Sequence, residues 1–347
     1  MKIESGGRAF DFCFLTTTFR GDLDRFAILR ESLQLFGHAG VPHYALVNTE
    51  DVPLLAAMKL PDVVPVASGD LLPPIYDTER RRYQNDPLGP RWAKFRRSLN
   101  KRFGWSPNAR YYGWQIQQLL KLQAPATLPH DIFVTVDSDN VITGPIDLRE
   151  YVPDGQVVVF ESQCPAPRPL DATSWYGNAC RLLDVPIPPG IDKNYVNQPV
   201  IFEKRAMLQL HAWLEARYNR PWHESVLDQR LAAWSEFTIY GVFVAHHLRM
   251  QGFTKRITND RTMWISRVQE RRNAAQLIRR AFQDPNIQLL VLQADDHGRW
   301  PLDRFLPFLE REFAAVRRGT SRTAHDAGRT SIPGHPYAAA ALTGVSR

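Results

Sequence analysis

Apolar runs and helical patterns alternate along the first half of the chain. The segment 10–19 is apolar enough for a buried strand, and the segment 24–36 repeats large apolar residues at helical spacing. The alternation continues with strand candidates at 42–51 and 63–68, a helix candidate at 113–128 and a strand candidate at 131–140. Strands that alternate with helices in this way predict an α/β fold, in which helices flank a mostly parallel sheet.

The second half of the chain predicts further strands and helices around one long irregular segment. Strand candidates lie at 155–162 and 287–296, a strand runs into a helix at 199–218, and helix candidates lie at 223–234, 236–250 and 302–317. The Pro-rich segment 164–198 predicts a long loop, and loops of that length are usually functional or mobile. Residues 318–347 contain few large apolar side chains, which predicts a disordered tail.

Composition narrows the class of protein without naming a partner. A chain of 347 residues with 44% apolar content can bury one large core or two modest ones. The net charge of +7 favours anionic partners but does not choose among nucleotides, nucleic acid and membrane surfaces. Three cysteines without zinc-site spacing favour a reducing compartment. The sequence has neither a signal-peptide pattern nor an apolar run near the ~18 residues of a membrane span, so we expect a cytoplasmic protein.

Two carboxylates stand at the end of the strand candidate 131–140. Asp137 and Asp139 are two residues apart, and strand alternation would place both on one side of the sheet. Two like charges on one face are costly unless a cation lies between them, so the spacing predicts bound Mn²⁺ or Mg²⁺. The same Asp-Ser-Asp-Asn sequence is also typical of a turn where a chain leaves a sheet.

Three functions compete for these carboxylates. In the first, the metal bridges a nucleotide-sugar diphosphate and neutralises the charge that develops on the departing nucleoside diphosphate. In the second, Asp137 attacks a phosphoryl group with Asp139 as acid/base, as in haloacid-dehalogenase-type phosphatases, and Asp295 and Asp296 mimic their late acidic motif. That motif normally opens its domain, whereas here several predicted elements come first. The third is a non-enzymatic basic protein that binds acidic polysaccharide or nucleic acid.

Segments on either side of the acidic pair carry a family resemblance. GWQIQQLLKL at 113–122 and WSEFTIYGVFV at 234–244, together with VDSDN, resemble a bacterial family of largely uncharacterised glycosyltransferases with a GT-A-type, Rossmann-like fold. The resemblance implies one main domain at 8–310, with a nucleotide-sugar-binding half at 8–160 and an acceptor-binding, catalytic half at 161–310. It implies a nucleotide-diphosphate sugar as donor and a glycan or lipid-linked acceptor. No nucleic-acid-binding motif is present, so we expect no nucleic acid partner.

The resemblance also assigns roles to single residues. Asp137 and Asp139 form the metal motif, and His297 is the candidate for the late histidine that many GT-A enzymes add as a metal ligand. Asp137 also faces the donor nucleotide, and Glu236 lies in the catalytic segment. For an enzyme that inverts the anomeric configuration, Glu236 is the expected general base. The segment 197–202, NQPVIF, is the expected floor of the acceptor side.

The nucleotide is expected at the end of the first strand. Thr16, Thr17 and Thr18 offer hydroxyl groups there, and the guanidinium of Arg20 suits phosphate recognition. β-branched residues that merely finish a strand are the alternative.

Gln118 and Lys121 are expected to share one helix face, from which Lys121 can reach the diphosphate. A surface lysine is the alternative. Ser235 is a plausible N-cap, which puts Glu236 in a first helical turn, where the helix dipole favours the ionised carboxylate. The alternative for Glu236 is that it only complements this dipole.

Two further segments suggest contacts with sugar and with membrane. Trp175 and Tyr176, in the predicted long loop, are candidates for stacking on a sugar ring. Between Arg80 and Arg102, nine lysine and arginine residues accompany aromatic residues at helical spacing. This basic amphipathic pattern predicts either peripheral contact with an anionic inner membrane face or packing of the aromatic stripe into the core.

Overall fold

In the computed structural model, the fold is organised around a mixed central sheet. The structure describes residues 1–84, 113–165, 174–229, 234–257, 261–265, 272–292 and 301–319. The strands are β1 (Lys2–Ser5), β2 (Arg8–Thr17), β3 (His43–Val47), β4 (Val63–Ala67), β5 (Ile132–Thr135), β6 (Asn140–Ile142), β7 (Val157–Phe160), β8 (Ser162–Pro165), β9 (Ile191–Asn194), β10 (Val200–Glu203), β11 (Phe253–Arg256), β12 (Thr262–Trp264) and β13 (Leu289–Val291). The helices are α1 (Leu23–Leu35), α2 (Val52–Ala57), α3 (Ser68–Leu71), α4 (Pro74–Gln84), α5 (Gly113–Thr127), α6 (Trp175–Leu182), α7 (Lys204–Tyr218), α8 (Trp222–Leu227), α9 (Glu236–His246), α10 (Ala274–Gln283) and α11 (Leu306–Arg317).

The central sheet runs in the order β10-β5-β2-β3-β4, with β1 paired to β2. β5, β2, β3 and β4 are mutually parallel, whereas β1 and β10 are antiparallel to their neighbours. All four residues of β5 are buried, as expected for a parallel strand covered on both faces. The predicted α/β fold with a mostly parallel sheet flanked by helices is therefore confirmed.

Helices cover the sheet where the apolar periodicity placed them. α1 buries Phe26, Leu29 and Leu33 in the main core, and α5 buries Ile116 and Leu119 there. A second cluster of buried apolar residues joins α1, β6, β13, α10 and α11. Three smaller sheets, β7 with β11, β8 with β9, and β12 with β13 and β6, extend this framework.

The acidic motif differs from the prediction in its backbone. β5 ends at Thr135, and the amide of Asn140 donates to the carbonyl of Asp137 at 3.1 Å, which closes a turn. Strand alternation therefore does not relate Asp137 to Asp139, and the expectation that it aligns them on one side is wrong. The physical reason is turn chemistry, because Asp and Asn favour turns at the end of a strand.

The predicted long loop at 164–198 contains regular structure. β8 and β9 pair antiparallel, and the hydroxyl of Ser174 accepts a hydrogen bond from the Gly177 amide at 2.9 Å, which caps α6. α6 packs through Tyr176, which is 1% exposed. The expectation that Tyr176 stacks on a sugar is therefore wrong, because its ring is part of the core. Trp175 is only partly buried.

Several predictions concern residues outside the described ranges. Most of the basic amphipathic segment lies at 85–112, and the tail prediction concerns mainly 320–347. His297, Asp295 and Asp296 also lie outside the described residues. Arg80 is described, and it is buried in ion pairs with Glu50 and Asp77. Within the described ranges, no helix is long and apolar enough to cross a membrane.

A buried basic cluster lies between α1 and β3. Arg30 is fully buried and pairs with Asp62 at 2.6 Å. Burial, reinforced by the charge of Arg30, lowers the pKa of His38 to about 4 and that of His43 to about 3. Both imidazoles are therefore neutral in the folded protein. His43 keeps one hydrogen bond, between its Nε2 and the Thr16 hydroxyl at 2.8 Å.

These histidines predict a loss of stability in mild acid. Above the ordinary pKa of 6.5 their contribution is fully present. As the pH falls from there toward the folded-state pKa, only the unfolded chain takes up the proton, and each histidine costs about 1.4 kcal/mol per pH unit. Urea unfolding of wild type and His43→Gln between about pH 7.5 and 5.5 checks this. The variant should show a shallower pH dependence, and equal slopes would contradict the account.

Candidate functional site

In α/β proteins the crevice for ligands lies where the parallel strands end. Because β2, β3 and β5 run in the same direction, their carboxyl ends meet at one edge of the sheet. The segments that follow them carry Thr18, Asn48 and Asp137. α5 and α9 pack beside the same edge and bring Lys121 and Glu236 to it. Residues far apart in sequence therefore share one site.

Asp137 is held by two donors. Its Oδ1 accepts from Nζ of Lys121 at 2.6 Å, and its Oδ2 accepts from Nε2 of Gln198 at 2.6 Å. The side-chain amide of Asn140 donates in turn, through Nδ2, to Oε1 of Gln198 at 3.1 Å. The carboxylate remains 36% exposed. Since a carboxylate offers about four lone-pair sites, Asp137 is oriented by the protein and still has room for another partner.

Lys121 links Asp137 to a second carboxylate. Its ammonium lies 3.0 Å from Oε1 of Glu236 and 4.8 Å from the ring centre of Phe237. The side chain is only 8% exposed. Burial lowers the pKa of Lys121, but Asp137 and Glu236 outweigh that effect and hold it well above the usual value. The site therefore contains a buried permanent cation.

Glu236 is the first residue of α9 and follows Ser235 at the N-cap position, as predicted. The Ser235 hydroxyl makes no capping bond and lies 3.5 Å from Oε2 of Glu236. Burial raises the pKa of Glu236, although Lys121 opposes the shift. This direction is opposite to the one expected from the helix dipole, because desolvation of a buried carboxylate outweighs the dipole here.

Gln118 and Lys121 share one face of α5, as their spacing predicted, and both contact Glu236 at the start of α9. Oε1 of Gln118 accepts from the backbone amide of Glu236 at 3.2 Å and so satisfies one free donor at the start of the helix. Nε2 of Gln118 is buried without a hydrogen-bond partner in the part of the chain that the structure describes. A buried unpaired donor at the crevice is a group that a ligand can satisfy.

The residues of the first loop divide into two groups. Thr16 is fully buried and donates to the Val136 carbonyl at 2.7 Å, so its hydroxyl holds β2 against the end of β5 and does not fit direct contact with a nucleotide. Thr17 and Thr18 are also buried, but the hydroxyl of Thr18 has no partner among the described residues. Arg20 is largely exposed, and its Nε donates to Asp51 at 2.7 Å.

The metal prediction can be tested against the donor set. Asp137 and Asp139 supply two carboxylates to the turn after β5, and Asp139 lines a small pocket with Arg25 and Leu292. Within the described ranges, no group of three or more His, Cys, Asp or Glu side chains is arranged to hold a metal ion. The residue types suit Mg²⁺, which proteins commonly bind through one or two carboxylates together with substrate phosphates and water, and Asp137 is the carboxylate of the pair that lies beside Lys121 and Gln198. The His297 ligand stays a prediction.

Gln198 is the site residue that the sequence did not single out. The antiparallel pairing of β10 with β5 sets Val200 opposite Thr135, which brings Gln198 beside Asp137. The sequence offers only the polar NQP segment before an apolar strand as a signal. That signal does not say which strand β10 pairs with, so the contact with Asp137 was not predictable.

Comparison with known proteins adds a family and two structural likenesses. Residues 12–293 match a family described as a family of unknown function (DUF6492). No curated protein matches the chain. Among solved structures, the chain is similar to the apo form of mouse xyloside xylosyltransferase 1, at 12% identity and a TM-score of 0.42, over 82% of this chain and 98% of that one. It is also similar to the apo WbbM bifunctional glycosyltransferase, at 10% identity and a TM-score of 0.42, over 88% of this chain and 50% of that one. Likeness at this level gives no basis for transferring an activity.

The buried ion pair makes a prediction about stability. Lys121→Met leaves Glu236 buried without its cation, and breaking a buried pair in this way costs about 3–5 kcal/mol of unfolding free energy. Adding Glu236→Gln to that variant should recover part of the loss, because the uncompensated charge is then removed. Urea denaturation of wild type, both single variants and the double variant measures the coupling. If Lys121→Met lost less than about 1 kcal/mol of unfolding free energy, as is typical of exposed ion pairs, the pair of Lys121 with Glu236 would not be a buried one.

Proposed function

The chain belongs to the family of unknown function (DUF6492), and we propose that it is a metal-dependent glycosyltransferase with a GT-A-like fold. In this proposal it moves a sugar from a nucleotide-diphosphate sugar to a glycan or lipid-linked acceptor. The observation that carries the proposal is the meeting of Asp137, Lys121 and Glu236 at the carboxyl end of β5. A parallel sheet binds ligands at that edge, and these three side chains offer the charges that diphosphate binding and proton transfer require.

The donor would lie across the ends of β2 and β5. The exposed guanidinium of Arg20 is suited to a phosphate. The hydroxyl of Thr18 and Nε2 of Gln118 are buried groups without partners in the described part of the chain, and a bound nucleotide sugar would satisfy them. Lys121 adds a fixed positive charge beside Asp137, which favours a diphosphate at the same place.

Asp137 and Asp139 are the residues that would hold Mn²⁺ or Mg²⁺. When bound, such an ion supplies a positive charge that neutralises the departing nucleoside diphosphate. Lys121 and Gln198 orient Asp137 from the protein side, so the carboxylate meets its ligand in a fixed position.

Glu236 is the residue that we assign as general base for an inverting transfer. In that role its carboxylate accepts the proton of the acceptor hydroxyl as the oxygen attacks the sugar. Its pKa, raised by burial, moves toward neutral pH, where a general base works best. Lys121 has a positioning role, since its ammonium holds the Glu236 carboxylate at 3.0 Å and keeps it available in the ionised form.

The phosphatase alternative requires Asp137 as a free nucleophile. In the structure, each of its oxygens accepts a short hydrogen bond, from Lys121 and from Gln198, which lowers the nucleophilicity of a carboxylate. β5 also follows β2, β3 and β4 in the chain, whereas the phosphatase motif normally lies on the first strand. These observations favour the transferase.

The general-base role predicts a large kinetic effect with little change in donor affinity. Glu236→Gln should lower turnover roughly 10²–10⁴-fold, because the acceptor hydroxyl loses its proton acceptor. Release of nucleoside diphosphate from a panel of nucleotide sugars measures turnover, and calorimetry measures donor binding.

Glu224→Gln is the matched control, because Glu224 also lies in the first turn of a helix, α8. If Glu236 has no catalytic role, both variants should keep their turnover, and Glu236→Gln should lose more stability than Glu224→Gln because only Glu236 is in a buried ion pair. If wild type hydrolyses a simple phosphate ester and Asp137→Asn does not, the result would favour the phosphatase.

A further inference from the structure

A second polar cluster lies around Glu161, directly after β7. The Glu161 carboxylate is buried. It accepts hydrogen bonds from the phenol of Tyr195 at 2.8 Å and from the side-chain amide of Gln163 at 3.2 Å. It also accepts from the ammonium groups of Lys193 at 3.2 Å and Lys255 at 3.3 Å. Four donors from different parts of the chain therefore converge on one buried carboxylate.

The place of this cluster in the fold suits a ligand. β7 and β11 are parallel, with Phe160 opposite Arg256, so Glu161 stands at the carboxyl end of a parallel strand pair. Ligands of α/β proteins bind at such ends. β8 and β9 extend from the same end as a two-stranded ribbon, in which Gln163 is opposite Lys193. An ion cluster that only stabilises the fold would join the same strands. A ligand-binding cluster differs from it in having hydrogen-bonding groups that are still available to a ligand.

The two lysines of the cluster have remaining hydrogen-bonding capacity that consists only of donors. Burial raises the pKa of Glu161, but the bonds from Tyr195, Gln163 and Lys193 outweigh it, and the pKa lies below its usual value. The carboxylate is thus ionised, and its lone pairs are engaged by four donors. Lys193 and Lys255 each have three N–H donors and give one to Glu161. The side chain of Lys255 is 48% exposed and that of Lys193 is 17% exposed, so solvent reaches the donors of Lys255 more fully than those of Lys193.

The charge of the cluster favours an anion. One carboxylate and two ammonium groups leave one positive charge in excess. Among the neighbouring titratable groups, His246 has a pKa lowered by burial and then by Lys193, so it adds no charge at neutral pH. Asp192 precedes Lys193 on β9, where its Oδ1 accepts from the Lys193 backbone amide at 3.0 Å, and its negative charge acts on Tyr176 and Cys180. The Lys193–Lys255 pair therefore presents donors and positive charge to the same ligand.

The cluster adjoins the end of the crevice that carries Glu236. The Tyr195 ring packs so closely on α9 that a Cβ at Gly241 would lie 2.1 Å from a ring atom. Gly241 is five residues after Glu236, which is about 7.5 Å along the helix axis. Tyr195 also precedes Gln198, the partner of Asp137, by three residues. Tyr195 and α9 thus connect the Glu161 cluster to the helix that carries Glu236.

We propose that Lys193 and Lys255, held together by Glu161, bind an acidic group of the acceptor, either a phosphate or a carboxylate. The proposal rests on the proposed function only in naming the ligand an acceptor. The anion would replace water on the outer N–H groups of both lysines, while Glu161 and Tyr195 keep the two ammonium groups in place. An acceptor without an acidic group would lose these contacts.

Calorimetric titration of the full chain tests the lysine pair. Inorganic phosphate and glucuronate are the two probes, each added with Mg²⁺ and a saturating nucleoside diphosphate to fill the donor crevice. Lys255→Gln removes a charge-assisted contact and should weaken binding about tenfold. Lys255→Arg keeps the charge and should bind as wild type does. If only one of the two probes binds, that probe identifies the acidic group of the acceptor as a phosphate or a carboxylate.

Arg256→Gln is the matched control, because it removes the same charge from the next residue of β11, whose side chain is on the opposite face. Its affinity should stay within about twofold of wild type, since the Arg256 charge lies on the other face of the strand, where solvent and salt screen it from the ligand. Equal weakening in both Gln variants, no weakening in Lys255→Gln, or no binding of either probe to wild type would overturn the proposal. If the nucleoside diphosphate itself fails to bind, the proposed function fails. Titration with phosphate then still shows whether Lys193 and Lys255 bind an anion.

Discussion

The buried ammonium of Lys121 between Asp137 and Glu236 is the interaction on which the site depends. A lysine that leaves water loses several kcal/mol of solvation, and only well-placed opposite charges offset the loss. Asp137 at 2.6 Å and Glu236 at 3.0 Å are those charges. α5, the turn after β5 and the start of α9 must therefore hold their relative positions, because a shift of any one would leave a buried charge unpaired.

This constraint explains how the neighbouring residues are arranged. Gln118 lies one helical turn before Lys121 on α5 and accepts from the Glu236 amide, so the same helix fixes both the charge and the backbone of α9. On the other side, Gln198 donates to Asp137 and connects the site to β10. The Asp137 carboxylate is thus oriented from two directions, by Lys121 and by Gln198.

The same physical arrangement recurs at Glu161 with the charges reversed. In the crevice one buried cation joins two carboxylates, and at Glu161 one buried carboxylate joins Lys193 and Lys255. In the first, Asp137 is 36% exposed and keeps free lone pairs that suit a cation, whereas in the second the two lysines keep donors that suit an anion. A donor complex with metal on one side and an acidic acceptor on the other would use both.

Sequence patterns predicted the parts of the fold that depend on periodicity. Burial on both faces marked β2 and β5, and helical spacing placed Gln118 and Lys121 on one face of α5. Glu236 lies in a first turn, as the N-cap position of Ser235 predicts, although the Ser235 hydroxyl makes no capping bond.

What could not be predicted depends on contacts between distant segments. The partner of β10 decides that Gln198 meets Asp137, and no local pattern encodes that pairing. The predicted direction of the pKa shift of Glu236 is wrong because burial raises this pKa, and burial is a property of the packed fold. The sequence shows only the position at the start of a helix, from which the effect of the dipole follows. Thr16 was assigned to the nucleotide for the same reason, since its position at a strand end did not reveal that Val136 and His43 enclose its hydroxyl.

Calorimetric titration of a nucleoside diphosphate in the presence and absence of Mn²⁺ tests the central claim, that the edge at β5 is a donor site. Wild type should bind the nucleotide tightly only when the ion is present. Asp139→Asn should lose this metal-dependent binding while the fold stays intact, because the residue lies in a turn at the end of the sheet. Asp131→Asn, which removes a carboxylate at the opposite end of β5, should bind as wild type does. Tight binding by Asp139→Asn, or binding by wild type that does not respond to Mn²⁺, would contradict the account.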